Sequence, residues 1–102
     1  MAEFVKVAQT NEIEIGQARL INLKGKGIAI FNVSGEFHAI ENACTHRGGS
    51  LAEGEISEYQ VTCPLHGATF DIRTGAATSP PAIQATPSYK VRVSGTDIEI
   101  EV

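Results

Sequence analysis

At 102 residues the chain has room for one domain with a modest core, and not for two. Its 42% apolar and 20% charged composition argues against disorder, and a net charge of -4 gives no electrostatic reason to expect nucleic acid or anionic lipid as a partner. The longest nearly apolar run, Gly27 to Phe31, is far short of the ~20 residues that span a bilayer, and Met1 to Val7 has no signal core. No membrane association is therefore expected. The chain is expected in the cytoplasm, as a monomer, where a basic protein partner would suit its mild acidity.

Strand signals follow one another along the chain. Phe4-Val5-Lys6-Val7 alternates apolar and polar residues, as a half-buried strand does. Ala18 to Leu23 reads as a second strand and Lys24-Gly25-Lys26-Gly27 as the turn after it. Ile28 to Val33 is a third strand, which Ser34-Gly35 turns into a fourth, Glu36-Phe37-His38-Ala39-Ile40. On this alternation His38 is expected to point to solvent. Tyr59 to Thr62 and Ala68 to Ile72 bracket a short connection, and Thr74-Gly75 makes the next turn. Ser79-Pro80-Pro81-Ala82 breaks the pattern, because two adjacent prolines form a stiff loop poor in backbone donors. Tyr89 to Val93, the turn Ser94 to Asp97, and Ile98 to Val102 close the chain as a hairpin. No window keeps an apolar 3.6-residue period for three turns, so the expectation is an all-β antiparallel sandwich or small barrel.

Two matched arms interrupt this frame: Cys44-Thr45-His46-Arg47-Gly48-Gly49 and Cys63-Pro64-Leu65-His66-Gly67. They hold both cysteines of the chain and two of its three histidines, with sixteen residues (Arg47 to Thr62) between them. In a cytosolic chain such cysteines more often serve a metal or chemistry than a disulfide. In an extended segment residues i and i+2 face one way, so Cys44 and His46 can act together; the second arm must turn to bring Cys63 and His66 together. Face to face, such loops offer two thiolates at one end and two imidazoles at the other, which suits a two-metal centre with unlike ends. One tetrahedral zinc ion with the same four ligands is the competing reading, although zinc sites usually pair Cys with Cys and His with His. A third reading makes the thiols buried hydrophobes and the histidines loop caps.

The spacing Cys44-x-His46-x16-Cys63-x2-His66, with its flanking glycines, resembles the ligand signature of Rieske-type 2Fe-2S proteins. The resemblance extends over nearly the whole chain, through Leu51, Glu53-Gly54, Phe70-Asp71, Thr74-Gly75 and Pro80-Pro81-Ala82. It implies a Rieske-like base, a cluster-binding part at about residues 43–85 of a single domain spanning 1–102, and one 2Fe-2S cluster. Cys44 and Cys63 would hold one iron, His46 and His66 the other. Gly48, Gly49 and Gly67 would let backbone N–H groups approach sulfur, Leu65 would shield the cluster, and the proline loop would form a third wall. Arg47 would brace its loop or touch a partner.

The small soluble ferredoxins of bacterial ring-hydroxylating oxygenase systems are the most similar branch. They imply a one-electron carrier, not an enzyme, fed by a flavoprotein NAD(P)H reductase and discharging to a terminal Rieske oxygenase. Two rival functions stand beside this: the small subunit of a multi-subunit oxidoreductase such as an assimilatory nitrite reductase, and a zinc-stabilised interaction module. Glu12, Glu14, Glu53, Glu55 and Glu58 could form an acidic docking face or simply a solvated one.

Departures from the family pattern set further expectations. Membrane-complex relatives carry an extra cysteine in each arm, where this chain has Gly49 and Leu65, so the bracing disulfide is absent. The same relatives place hydroxyl donors where Ala68 and Phe70 stand, and neither side chain can donate. Donors to sulfur stabilise the reduced cluster, so their loss implies a reduction potential of about -150 mV, the bottom of the Rieske span. Histidine ligation further implies a potential that is flat near neutrality and falls at alkaline pH.

Overall fold

The computed structural model describes residues 3–23, 25–42, 50–64, 67–79 and 86–101. Among these residues there is no α-helix, only the 3-10 turns Thr10–Glu12 and Leu51–Glu53. The strands are β1 (Phe4–Gln9), β2 (Ala18–Leu23), β3 (Lys26–Val33), β4 (Glu36–Glu41), β5 (Glu55–Ser57), β6 (Gln60–Thr62), β7 (Thr69–Asp71), β8 (Ala77–Ser79), β9 (Ser88–Tyr89), β10 (Val91–Ser94) and β11 (Asp97–Glu101). They form three antiparallel sheets, ordered β1-β11-β10, β2-β3-β4-β9 and β5-β6-β7-β8.

The β2-β3-β4-β9 sheet lies between the other two. One face presents Ile28, Ile30 and Ala39 to a core shared with Ala8, Ile13, Ile98 and Ile100. The opposite face presents Ala29, Phe31, Val33 and Ile40 to a second core with Leu51, Val61, Cys63, Ala68, Phe70 and Ile72. A strand covered on both sides has no polar face to keep, which is why Ile28-Ala29-Ile30-Phe31 reads as an unbroken apolar run. All four are fully buried. At about 1.5–3 kcal/mol for each large buried side chain, Ile28, Ile30 and Phe31 let β3 stabilise both cores.

Turn chemistry fixes the registers. Ser34 and Gly35 both adopt left-handed backbone, with φ of 54° and 91°, the geometry a two-residue hairpin needs for its twist to match the strands. Asn32 braces this turn: its amide oxygen accepts from the Gly35 N–H at 2.9 Å, and its Nδ2 donates to the Ile13 carbonyl at 2.8 Å.

Two sequence expectations are corrected here. The continuous strand expected from Tyr89 to Val93 is split at Lys90, where the chain changes sheets: Tyr89 pairs with Ala39, and Val91 with Ile100. His38 does not face solvent. It shares its face of β4 with Ile40, and the third sheet covers that face; the ring packs edge-on against Tyr59 at 5.9 Å. His38 Nε2 lies 3.4 Å from a Glu36 carboxylate oxygen, near enough for an ion pair but misaligned for a hydrogen bond.

Candidate metal centre

Of the four sequence-predicted ligands, Cys63 is among the described residues; Cys44, His46 and His66 lie outside them, as do Arg47, Gly48, Gly49, Leu65 and Pro80-Pro81-Ala82. The structure places the supports from which these segments spring.

The first arm leaves the end of β4 and returns at Ser50, and Asn42 closes its neck. The Asn42 carbonyl accepts from the Leu51 N–H, and its backbone N–H donates to the Gly27 carbonyl, both at 2.9 Å. Its side-chain oxygen accepts from the Ala52 N–H at 2.8 Å, while Nδ2 donates to Ser50 Oγ at 3.0 Å. One residue therefore holds both ends of a seven-residue excursion, 43–49. Leu51, buried just beyond it, anchors the returning chain in the core.

The second arm is the tip of the β6–β7 hairpin. Thr62 and Thr69 form the last rung of the ladder. Beyond that rung the Cys63 N–H donates to the Ala68 carbonyl at 2.7 Å, and the Gly67 N–H donates to the Cys63 carbonyl at 3.1 Å. Cys63 is only 2% exposed and belongs to the same core as Ala68 and Phe70. Burial beside an apolar core, at a hairpin tip tied by its own backbone, suits a thiolate ligand of a cluster held away from water. The cofactor implied by the donor set therefore fits the part of the site that is described.

Beyond the second arm the chain is stiffened by polar contacts. Asp71 Oδ1 accepts from the backbone N–H groups of Arg73 at 2.7 Å and Thr74 at 3.3 Å, and the Arg73 guanidinium pairs with Oδ2 at 3.2 Å. Partial burial pushes the Asp71 carboxyl up, but the Arg73 hydrogen bonds and charge outweigh it and leave the group below its ordinary range. Arg73 also lies over the Tyr59 ring, 4.3 Å from its centre. At the root of the first arm, Tyr89 Oη donates to Glu41 at 3.5 Å, and burial followed by the Glu41 charge pushes the phenol pKa up.

Two close approaches join the arms. A Cβ on Gly54 would overlap the Thr62 carbonyl oxygen and come within 2.9 Å of Val61 Cγ2, so only glycine lets the exit of the first arm press on β6, which leads to Cys63. Gly75, at φ 79°, sits so close to Thr86 that a Cβ would overlap the Thr86 carbonyl oxygen. Asn42 and Thr86 are the supports that sequence reasoning missed. Asn42 carries a readable signal, a short polar side chain bordering the ligand loop. Thr86 carries none, since its side-chain partner lies 45 residues away.

Of the acidic residues, Glu53, Glu55 and Glu58 are exposed around β5. Glu12 is used internally: it accepts from the Gln9 N–H at 2.7 Å and from Arg19 Nη1 at 3.1 Å.

A family model described as "Rieske [2Fe-2S] domain" matches residues 3–90. This chain belongs to the Rieske 2Fe-2S family. The Rieske chain is 36% identical over 99 residues to the biphenyl dioxygenase ferredoxin subunit of Pseudomonas sp. strain KKS102, covering 96% of this chain and 91% of that one. Its fold matches the ferredoxin of carbazole 1,9a-dioxygenase from Nocardioides aromaticivorans IC177 with a TM-score of 0.92, at 30% identity and 95% coverage of both chains. A chain from the complex of reduced oxygenase and oxidized ferredoxin in carbazole 1,9a-dioxygenase matches with a TM-score of 0.90, again at 30% identity, covering 95% of this chain and 91% of that one. The all-β Rieske fold and the single 2Fe-2S cofactor are thereby established, and the zinc reading falls. No helix among the described residues is long and apolar enough to cross a membrane.

Proposed function

We propose that this Rieske chain is the mobile one-electron carrier of a ring-hydroxylating oxygenase system, taking electrons from a flavoprotein NAD(P)H reductase and delivering them to a terminal Rieske oxygenase. The observation that carries this reading is similarity over nearly the full length of ferredoxin components of such systems. In this reading Cys44 and Cys63 hold one iron, and His46 and His66 the other. When bound, the cluster supplies reversible one-electron chemistry.

The chain's own residues do the rest. Asn42 fixes the span of the first arm, the Cys63–Ala68 and Gly67–Cys63 hydrogen bonds fix the tip of the second, and Gly54 keeps the two supports in contact. Ala68 and Phe70, both fully buried, exclude water and offer no side-chain donor. The carrier is proposed to act as a cytoplasmic monomer, docking transiently.

Iron and acid-labile sulfide analysis, with EPR on the dithionite-reduced protein, tests the site. Two irons, two sulfides and a signal showing nitrogen ligation are expected, and Cys63→Ser or His66→Ala should abolish that signal. Reconstitution with purified reductase and oxygenase tests the role. NADH-dependent product formation that requires this chain is expected; a stoichiometric complex surviving high salt would instead favour a fixed subunit.

A further inference from the structure

The two ligand arms rise from separate pieces of structure, the end of β4 and the β6–β7 hairpin, and Thr86 touches the support of each. Its Oγ1 donates to the carbonyl of Glu41, the last residue of β4, at 3.3 Å. Its backbone N–H donates to the Gly75 carbonyl at 2.8 Å, and the Gly75 N–H donates in turn to the Asp71 carbonyl of β7 at 2.7 Å. The chain continues into Pro87, whose carbonyl accepts from the Glu41 N–H at 2.8 Å. Both main-chain groups of Glu41 are thus held by consecutive residues of one segment.

Thr86 is 2% exposed, one of two buried polar residues among those described. A buried hydroxyl away from water is retained at a cost unless it is hydrogen-bonded, and this one is bonded across 45 positions of sequence. The left-handed Gly75 leaves no room for a side chain against it, so the junction tolerates little displacement.

We propose that Thr86 is a positioning residue of the metal centre: its hydroxyl sets the separation of the two arms, so that each Cys/His pair meets the same cluster in fixed geometry. This rests on Cys44, His46, Cys63 and His66 being the ligands. Because the arms spring from β4 and from the β6–β7 hairpin, which lie in different sheets, each support can fold correctly while their spacing drifts, and a cluster bridging them would register that drift directly. Thr86 acts through the main chain of Glu41 and Gly75.

The test compares Thr86→Val, which keeps the shape and loses the hydroxyl, with Thr86→Ser, which keeps the hydroxyl, in the cluster-loaded protein. Thr86→Val should shift and broaden the EPR g values of the reduced cluster. It should also shorten the half-life of cluster loss about tenfold, the scale of one buried carbonyl left unpaired. Thr86→Ser should restore the parent g values and most of the half-life. Should Thr86→Val fail to accumulate, Thr86→Ala removes the same hydroxyl without adding bulk and carries the same expectation. A lower unfolding midpoint with unchanged g values would overturn the proposal, reducing Thr86 to general stability. A parent protein lacking a nitrogen-ligated EPR signal would sink the ligand assignment first, and the Thr86 role with it.

Discussion

Asn42 holds the neck of the proposed ligand arm without being one of the proposed ligands. Its amide and carbonyl serve Ser50, Leu51 and Ala52, so the ends of the 43–49 excursion cannot separate without breaking several hydrogen bonds at once. Asn42→Ala removes the acceptor of the Ala52 N–H and the donor to Ser50, leaving half-buried polar groups unpaired. We expect a loss of about 1–3 kcal/mol in unfolding free energy and less iron per chain as purified. Asn42→Asp keeps the acceptor and loses only the donor, so it should fall between the parent and Asn42→Ala. Urea unfolding and iron determination on the same preparations check both variants. Equal iron content in all three would show that the neck is not needed to load the cluster.

Strands, turns and arms were unequally legible. The Ser34-Gly35 and Gly95-Thr96 hairpins and the β3 core declared themselves through turn residues and apolar runs, because both signals are local. The strands β5 and β8 did not. Glu55-Ile56-Ser57 and Ala77-Thr78-Ser79 are too short and polar to show alternation, and they are strands because β6 and β7 supply ladders for them. The solvent-facing expectation for His38 failed for a related reason, since a period of two says which residues share a face and not whether another sheet covers it. The proposed ligands Cys44, His46, Cys63 and His66 were picked out by spacing, whereas the contacts that bring their supports together are long-range. Gly54 is one of these: Gly54→Ala would force β6 away from the 3-10 turn, and we expect a cost of about 1–3 kcal/mol or more, measurable as a lower urea midpoint. The Asp71–Arg73 turn makes a pH prediction. The Asp71 carboxyl is depressed in the folded state, so its contribution is present above the unfolded pKa and disappears as pH falls through the folded value. The stability advantage of the parent over Asp71→Asn should therefore hold at neutral pH and vanish in the acid range below about pH 4. Parallel unfolding curves at both pH values would contradict it. The Arg73 partner is half exposed to solvent, so the difference should be small.

At the scale of the whole molecule, three stacked sheets bring the supports of the two arms together, and the surroundings of the proposed centre would set the energy at which an electron is held. Cys63, Ala68 and Phe70 share one core, and the latter two are fully buried. With Cys63 as a ligand, as proposed, the sulfur side of the centre would gain shielding from these two side chains and no O–H donor. Reduction adds negative charge, which hydrogen bonds to sulfur would stabilise and apolar surroundings do not. The midpoint potential should accordingly lie near -150 mV, at the low end for Rieske centres. Restoring a donor should raise it. A hydrogen bond stronger by about 1 kcal/mol in the reduced state corresponds to about 40 mV for a one-electron couple. Ala68→Ser and Phe70→Tyr should each move the midpoint upward by roughly that amount, and together by more, as read by direct electrochemistry on the cluster-loaded protein. The shift should appear without change in iron content, since neither side chain is a ligand. A parent midpoint well above zero, or variants whose potentials do not rise, would mean that these two positions do not govern the potential of this carrier.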